Sequence, residues 1–375
     1  MPTKQRARSR KSEPASARRV HPERVHRERV LSGMRPTGKL HLGNFVGALE
    51  NWLELQKRYE CFFFIADWHA LTTDYADTSD VMRNTLEVAT DWLAVGLDPH
   101  HSTLFIQSRV PEHAELHLLF SMITPTPWLI RNPTIKEQAR DLGLIASDDE
   151  AEVTKINYGL LGYPVLQAAD ILIYRAHYVP VGGDQVPHIE LTREIARRFN
   201  SFYLLPLRRS VFPEPEALLT STPRVPGLDG RRMSKSIGNV IELGESSESI
   251  RSKVSTMLTD PQRVRRSDPG RPEICPVFGY HRRFSPQAVV DQVDLECRTA
   301  RIGCVDCKAL MARHLTAFLD PIRERRRKYA ARPKKVWDVL WTGSERARRV
   351  ARETMEQVRT AMKLIPNRKG AKATS

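Results

Sequence analysis

From Val30 onward the chain alternates short, wholly apolar runs with longer stretches whose apolar residues recur every three or four positions. Val30-Leu31-Ser32-Gly33 is such a short run and reads as a strand, closed by a turn at Pro36-Thr37-Gly38. Phe45, Val46, Leu49, Trp52, Leu53 and Leu55 then fall at helical spacing, which predicts a helix from about Gly43. Cys61-Phe62-Phe63-Phe64-Ile65-Ala66 is apolar throughout, of strand length, and bounded by Glu60 and Asp67. A helix over about 79–96, a strand at 103–107 and a helix over about 111–121 follow. Strands that are apolar on both faces belong in a parallel sheet covered by helices. The expected fold class is α/β, a Rossmann-like parallel sheet.

Further along, 151–175 reads as helical, Tyr178-Val179-Pro180-Val181 as a strand and 184–199 as a helix, while 205–240 is rich in Pro, Gly and Arg and reads as loop. Beyond about 245 no strand pattern survives, and amphipathic stretches at 247–257, 306–329 and 335–363 predict a helical C-terminal domain. The expected organisation is a basic disordered arm (1–28), an α/β domain (29–240), a helical domain (241–365) and a disordered basic tail (366–375). No internal repeat is present.

Composition changes this picture little. Apolar residues make up 41% and charged residues 27% of 375, which excludes a fibrous or wholly disordered chain. Charge adds more: 59 Lys+Arg against 44 Asp+Glu give +15, which points to a polyanionic partner, nucleic acid first. Ten of those cations and three Glu fall within residues 1–30, so the solvated arm carries +7 and the rest +8. No apolar run approaches the ~20 residues that cross a bilayer, and the first thirty residues lack a secretory core. A cytoplasmic protein without membrane contact is expected.

Two segments carry chemistry. Pro36-Thr37-Gly38-Lys39-Leu40-His41-Leu42-Gly43-Asn44 joins a strand to a helix, and His41 and Asn44 offer donors beside a helix N-terminus, whose free N–H groups favour phosphate. It lacks the Walker spacing, and alone it is equally a capped helix start. Arg231-Arg232-Met233-Ser234-Lys235-Ser236-Ile237-Gly238-Asn239 is a cationic loop able to carry Lys235 to a polyphosphate, or simply a solvent loop. Together the two resemble the HIGH and KMSKS signatures of class I aminoacyl-tRNA synthetases. Tyr163-Pro164-Val165-Leu166-Gln167-Ala168-Ala169-Asp170-Ile171-Leu172-Ile173-Tyr174, Val179-Pro180-Val181-Gly182-Gly183-Asp184-Gln185, Ser32-Gly33-Met34-Arg35-Pro36-Thr37-Gly38 and Phe105-Ile106-Gln107-Ser108 resemble tryptophanyl-tRNA synthetases over roughly residues 29–365.

Physical reasoning runs parallel. Tyr163, Gln167, Asp170 and Tyr174 share one helix face. Asp170 is followed by Ile171-Leu172-Ile173, so an apolar setting is expected for its carboxylate, which then needs a partner. An ionised Asp only accepts and an indole N–H only donates, so Asp170 suits tryptophan and rejects phenylalanine. An internal ion pair is the alternative. The resemblance implies that Tyr163, Gln167, Gln185, Gly33, Val179 and Val181 complete the amino-acid pocket, with Gln185 near the substrate ammonium. It places ATP at Arg35, Pro36, Thr37, His41, Gly43, Asn44, Gly182, Gly183, Asp184, Val225, Arg232, Met233, Ser234, Lys235 and Ser236. Catalytic roles fall on His41, Asn44, Lys136, Ser234, Lys235 and Ser236. Four positions depart from the family: Arg232 replaces the first KMSKS lysine, His41 stands where many relatives have Thr, Arg35 where they often have Gln, and Gln138 where many have a second lysine. Lys136 belongs to Asn132-Pro133-Thr134-Ile135-Lys136-Glu137-Gln138, expected to be a mobile loop.

The implied reaction joins L-tryptophan to tRNA(Trp) through tryptophanyl-adenylate, with ATP as substrate, Mg²⁺ sharing the phosphate charge, and a homodimer as the working form. Tyrosyl-tRNA synthetase, a small-molecule nucleotidylyltransferase and a non-catalytic RNA-binding paralogue are the competing readings. Finally, Cys275-x21-Cys297-x6-Cys304-x2-Cys307 argues for metal rather than disulfide in a reducing compartment. Four thiolates suit Zn²⁺ or a 4Fe–4S cluster. Spacing alone favours zinc; a subset of tryptophanyl-tRNA synthetases with a similar cysteine pattern implies the cluster. Cys61 is expected to be a buried apolar thiol.

Overall fold

The structure, a computed structural model, describes residues 27–204, 210–219 and 225–364. The expected arm (apart from residues 27 and 28) and the expected tail lie outside the described residues. Five parallel strands, β1 (Arg29–Met34), β2 (Glu60–Ile65), β3 (Ser102–Ile106), β4 (Tyr178–Val181) and β5 (Glu216–Leu219), are ordered β3-β2-β1-β4-β5. The first four follow the apolar runs. β5 falls within the expected loop; it is a short, half-exposed edge strand whose apolar run, Ala217-Leu218-Leu219, is too brief to announce it.

The helices that shape the site and its surroundings are α1 (Glu50–Arg58), α2 (Asp67–Asp74), α3 (Val81–Val95), α4 (Glu112–Ser121), α5 (Pro133–Asp141), α6 (Tyr158–Ile173), α7 (Val186–Leu204), α8 (Ser247–Ser255), α9 (Pro276–Phe284), α10 (Gln287–Arg298), α11 (Cys304–Ala330) and α12 (Pro333–Ala361). α1 is entered through a wide helical turn at Phe45–Leu49. Segment 132–138 is not the expected loop: Asn132 caps α5 by accepting from the Thr134 N–H at 3.0 Å, and Pro133 occupies the first turn, where its missing N–H costs nothing.

Both sheet faces are buried, as uniformly apolar strands require. In β2, Cys61, Phe63 and Ile65 enter one core cluster with Trp52 and Trp92, while Phe62 and Phe64 enter another with Phe105 and Tyr174. Cys61 is buried, its thiol pushed up to about 12 by burial and then by Glu60. The C-terminal helices extend these same clusters: α11 contributes Leu315 and Leu319 to the first, α12 contributes Ala351 and Met355 to the second. Arg326 of α11 pairs with the buried Asp91 at 2.6 Å.

α12 also covers edge strand β3, whose free ladder groups are an aggregation hazard. The Ile106 N–H donates to Ser344 Oγ at 3.3 Å, and a Cβ on Gly343 would stand only 1.8 Å from the Leu104 carbonyl oxygen. Backbone cannot yield as a side-chain end can. Gly343→Ala is therefore expected to cost about 3 kcal/mol or more. Thermal denaturation checks this: a clear fall in Tm is expected, and an unchanged Tm would contradict the packing.

Candidate active site

In a parallel sheet, ligands settle beyond the carboxyl ends of the strands where successive connections turn to opposite sides. Here the chain runs β1-β2-β3 outward one way and β4-β5 the other, so that point lies between β1 and β4. A cavity of about 410 Å³ occupies it. Gly33, Tyr163, Gln167, Asp170, Val179, Val181 and Gln185 all line it, with Arg35, His69, Gln138 and Gly182. Gly33 is required by close approach: a Cβ there would stand 2.6 Å from the Phe64 ring across the β1–β2 pair. Tyr174 does not line the cavity and sits fully buried behind it.

Asp170 is fully buried but not in an apolar setting. Its Oδ1 accepts from Gln107 Nε2 at 2.8 Å and His113 Nδ1 at 2.5 Å; its Oδ2 accepts from Gln107 Nε2 at 2.9 Å and His69 Nε2 at 2.7 Å. Burial alone raises the carboxyl, yet the bonds from His113 and His69 outweigh it and hold its pKa below the usual carboxylate value. A carboxylate only accepts, so both imidazoles donate. Behind His113, its Nε2 and the Tyr174 hydroxyl lie 2.7 Å apart. With Nδ1 donating forward, a neutral imidazole accepts from Tyr174 there. These donors come from α2, from the turn after β3 and from the start of α4, which inspection of Asp170's own helix could not reveal. Their position just past two parallel strands was the available signal.

Tyr163 Oη lies 2.7 Å from His188 Nε2, and His188 Nδ1 lies 3.1 Å from Asn132 Nδ2. Because Asn132 Oδ1 already accepts from Thr134 N, its amide nitrogen must face His188, so His188 accepts at Nδ1 and donates to Tyr163. The Tyr163 proton is left free for the cavity. This chain of bonds links the cavity to the cap of α5. Gln138 of α5 lines the cavity; Lys136 instead donates to the Asp148 carbonyl at 3.4 Å and does not line it.

The two signature segments meet. Lys235 Nζ donates to the Thr37 carbonyl at 2.7 Å, next to Pro36 and one residue beyond it from Arg35 in the cavity wall. Arg35 itself turns onto α2, reaching Asp74 at 3.4 Å and Thr73. His41 donates from its backbone to Asn44 Oδ1 at 3.0 Å, and Leu42 N donates to Ile241 O at 3.0 Å. The His41 pKa falls to about 4 through burial, then Lys235, then Arg232. In the cationic loop Met233 is buried, as is Val225, and the Ser234 and Ser236 hydroxyls lie 2.8 Å apart. Asn239, which the sequence reading passed over, shapes the loop: it accepts from Ser234 N at 2.8 Å and donates to Asp229 Oδ1 at 2.7 Å. Gly183–Gln185 forms one tight turn after β4, and Gln185 donates to Asp184 Oδ2 at 3.2 Å.

Burial also lowers the His188 pKa to about 4. Folded His41 and His188 stay neutral where an unfolded imidazole, near 6.5, is protonated, so the unfolded state binds more protons in that window. Stability is expected to fall as pH drops from about 6.5 towards 4, with a shallower loss in His188→Gln. Urea denaturation at a series of pH values checks this, and an identical pH slope in the variant would contradict it.

All four late cysteines are free thiols. The Cys307 thiol is pushed up to about 12 by burial and then by Cys275, Cys297 and Cys304, so the four share one locality. Burial raises Cys297 too, against the pull of Arg263, which donates to its Sγ at 3.7 Å. Among the described residues, no three His, Cys, Asp or Glu are set as a single metal ion requires. The donor set fits a soft metal group, but a preformed one-ion centre does not.

The family model for tRNA synthetases class I (W and Y) matches residues 24–320. The chain belongs to this family, whose sheet and paired signature segments it carries. The chain is 53% identical over 339 residues to the tryptophan–tRNA ligase of Thermotoga maritima, covering 90% of this chain and 99% of that protein. It is 48% identical over 399 residues to the tryptophan–tRNA ligase of Aquifex aeolicus, covering 90% and 100%. Among solved structures, the tryptophanyl-tRNA synthetase of Campylobacter jejuni complexed with ADP and tryptophane superimposes with a TM-score of 0.79 at 31% identity, covering 89% and 99%.

Proposed function

We propose that the protein is a tryptophan–tRNA ligase: it activates L-tryptophan with ATP and transfers it to tRNA(Trp). The observation that carries this is Asp170, an ionised acceptor at the wall of the switch-point cavity, held by three donors. An indole fits an apolar slot of this size, and its N–H meets the one carboxylate that lines it. The curated relatives of both organisms above are tryptophan–tRNA ligases, which favours tryptophan over tyrosine.

The tryptophan carboxylate oxygen attacks the α-phosphorus of ATP in line; the new O–P bond forms as the bond to the β-phosphate oxygen breaks, and pyrophosphate leaves with the electron pair. No protein nucleophile takes part, so the chain supplies position and charge. Tyr163 and Gln185 orient the substrate ammonium. His41 and Asn44 face the triphosphate at the helix entrance, with Gly182, Gly183 and Asp184 beside the adenosine. Lys235, released from Thr37, meets charge developing on pyrophosphate, with Ser234, Ser236 and Arg232 alongside. Lys136 reaches the phosphates only if its bond to Asp148 opens. Mg²⁺, carried on the phosphates, supplies further charge neutralisation when bound. The 2′-hydroxyl oxygen of the terminal adenosine of tRNA then attacks the acyl carbon, the bond from that carbon to the adenylate phosphate oxygen breaks and AMP leaves, as in the family.

The anticodon-contacting surface in this reading belongs to region 241–365, at the basic surroundings of the four cysteines, Arg265, Arg266, Arg282, Arg298 and Arg301. Exposed Leu118 on α4, Met122 just past its end and Tyr158 at the start of α6 support a homodimer. Among the described residues no helix is long and apolar enough to cross a membrane, in keeping with a cytoplasmic enzyme. Charging of tRNA(Trp) with labelled tryptophan tests the function: acid-labile tryptophanyl-tRNA is expected, and charging with tyrosine instead would overturn it.

Cys275, Cys297, Cys304 and Cys307 are proposed as ligands of a 4Fe–4S cluster, supported by their common locality and by the family resemblance of the cysteine pattern. Metal entry expels the protons that the raised thiols hold. Anaerobically prepared protein is expected to be brown with about four iron per chain, and Cys297→Ala to lose most of it. Stoichiometric zinc without iron would contradict the cluster.

A further inference from the structure

A second cleft, of about 840 Å³, lies between α3 and the start of α12. Its wall carries two indoles, Trp337 and Trp341, stacked at 5.9 Å between ring centroids and 28° between planes. The Arg109 guanidinium lies 4.0 Å over the Trp341 ring, extending the stack, and has no hydrogen-bond or ion-pair partner among the described residues. Trp341 is 39% exposed and Met82, on the opposite lip, 72%. The rim carries exposed Lys334, which forms no ion pair among the described residues, and exposed Arg332 and Lys335 flank it in sequence. Of the two acidic lining groups, Asp67 is occupied by the Ser108 amide at 3.0 Å and by the Ser108 hydroxyl, which leaves exposed Asp338.

This cleft backs directly onto the tryptophan cavity. Ala66 lines one and Asp67 the other; Gln107 holds Asp170 while Ser108 and Arg109 line the cleft. The same two turns after β2 and β3 therefore serve both sites.

We propose that this cleft holds an unpaired nucleotide of the single-stranded 3′ end of tRNA, its base joining the Arg109–Trp341–Trp337 stack and its phosphate facing the cationic rim. This rests on the ligase reading above and extends it. Flat aromatic groups stack on any base, a guanidinium plane does the same, and free cations match the phosphate. The unpaired end is the part of tRNA that must reach the adenylate, and the cleft adjoins it.

Aminoacylation and pyrophosphate exchange measured side by side test this. Trp341→Ala is expected to lower kcat/KM for tRNA about 10-fold, with tryptophan-dependent exchange unchanged and Trp341→Phe restoring most of the loss. Arg109→Met, which keeps both indoles, is expected to act in the same direction and decides the matter should Trp341→Ala fail to fold. A tRNA(Trp) transcript shortened at its 3′ end should bind wild type and Trp341→Ala equally. Charging of full-length tRNA undiminished in both variants, or a binding gap that persists with the shortened transcript, would overturn the proposal. A wild-type protein that neither exchanges with tryptophan nor charges tRNA would instead sink the ligase reading.

Discussion

Asp170→Asn is expected to lower kcat/KM for tryptophan in ATP–pyrophosphate exchange by about 100-fold or more. Three donors, His69 Nε2 on α2, His113 Nδ1 on α4 and Gln107 Nε2 in the turn after β3, converge on this side chain. A carboxylate accepts all three and keeps acceptor capacity for an indole N–H. An amide of the same shape brings an N–H₂ donor against another donor, so the side chain must turn or an imidazole must change tautomer. Either change removes the acceptor proposed for the substrate. Asn matches Asp in volume, so the core stays filled and the loss falls on tryptophan recognition more than on folding. Exchange kinetics with Tm measured in parallel separates the two. Exchange within twofold of wild type would show that Asp170 plays no part in selecting the substrate.

Lys235→Ala is expected to lower kcat of exchange by about 100–1,000-fold while KM for tryptophan stays the same. Lys235 does not line the amino-acid cavity, so removing it leaves ground-state binding of tryptophan intact. Its ammonium sits on the Thr37 carbonyl, at the turn that leads into His41 and Asn44, where the triphosphate is proposed to lie. Burial lowers its pKa, with Glu242 and Asp91 pulling the other way. A partly desolvated cation at that point stabilises charge as pyrophosphate departs far more than one in bulk water does. Tryptophan binding followed by fluorescence should be retained. Unchanged kcat would remove Lys235 from the reaction, and a raised KM for tryptophan would place it in the pocket instead.

Much of the fold was legible because parallel strands buried on both faces cannot hide their composition. β1 to β4 each stand within a residue or two of an apolar run, and β2 sends alternate residues into separate core clusters. β5 escaped because an edge strand in contact with one neighbour needs little apolar character. α5, α9 and α10 escaped for a different reason: each starts beside a proline (Pro133, Pro276 and Pro286), which signals a break when read alone and a first turn when a helix follows. The site was legible where its residues share an element. Tyr163, Gln167 and Asp170 lie on α6, and all three reach the cavity. What could not be read was the company Asp170 keeps. His69, Gln107 and His113 are distant in sequence and converge only when the sheet is assembled, while Leu172 and Ile173, next along the helix, enter the core away from the cavity that Asp170 and Ile171 line. The same holds for Asn132 and His188, whose bonds tie Tyr163 to α5.

Comparing wild-type exchange with tryptophan and with the analogue that carries sulfur in place of the indole N–H puts the hydrogen bond to Asp170 on trial, since the two differ in little else. The buried acceptor predicts that the analogue is used at least about 1,000-fold less efficiently in kcat/KM; equal use of both would contradict it.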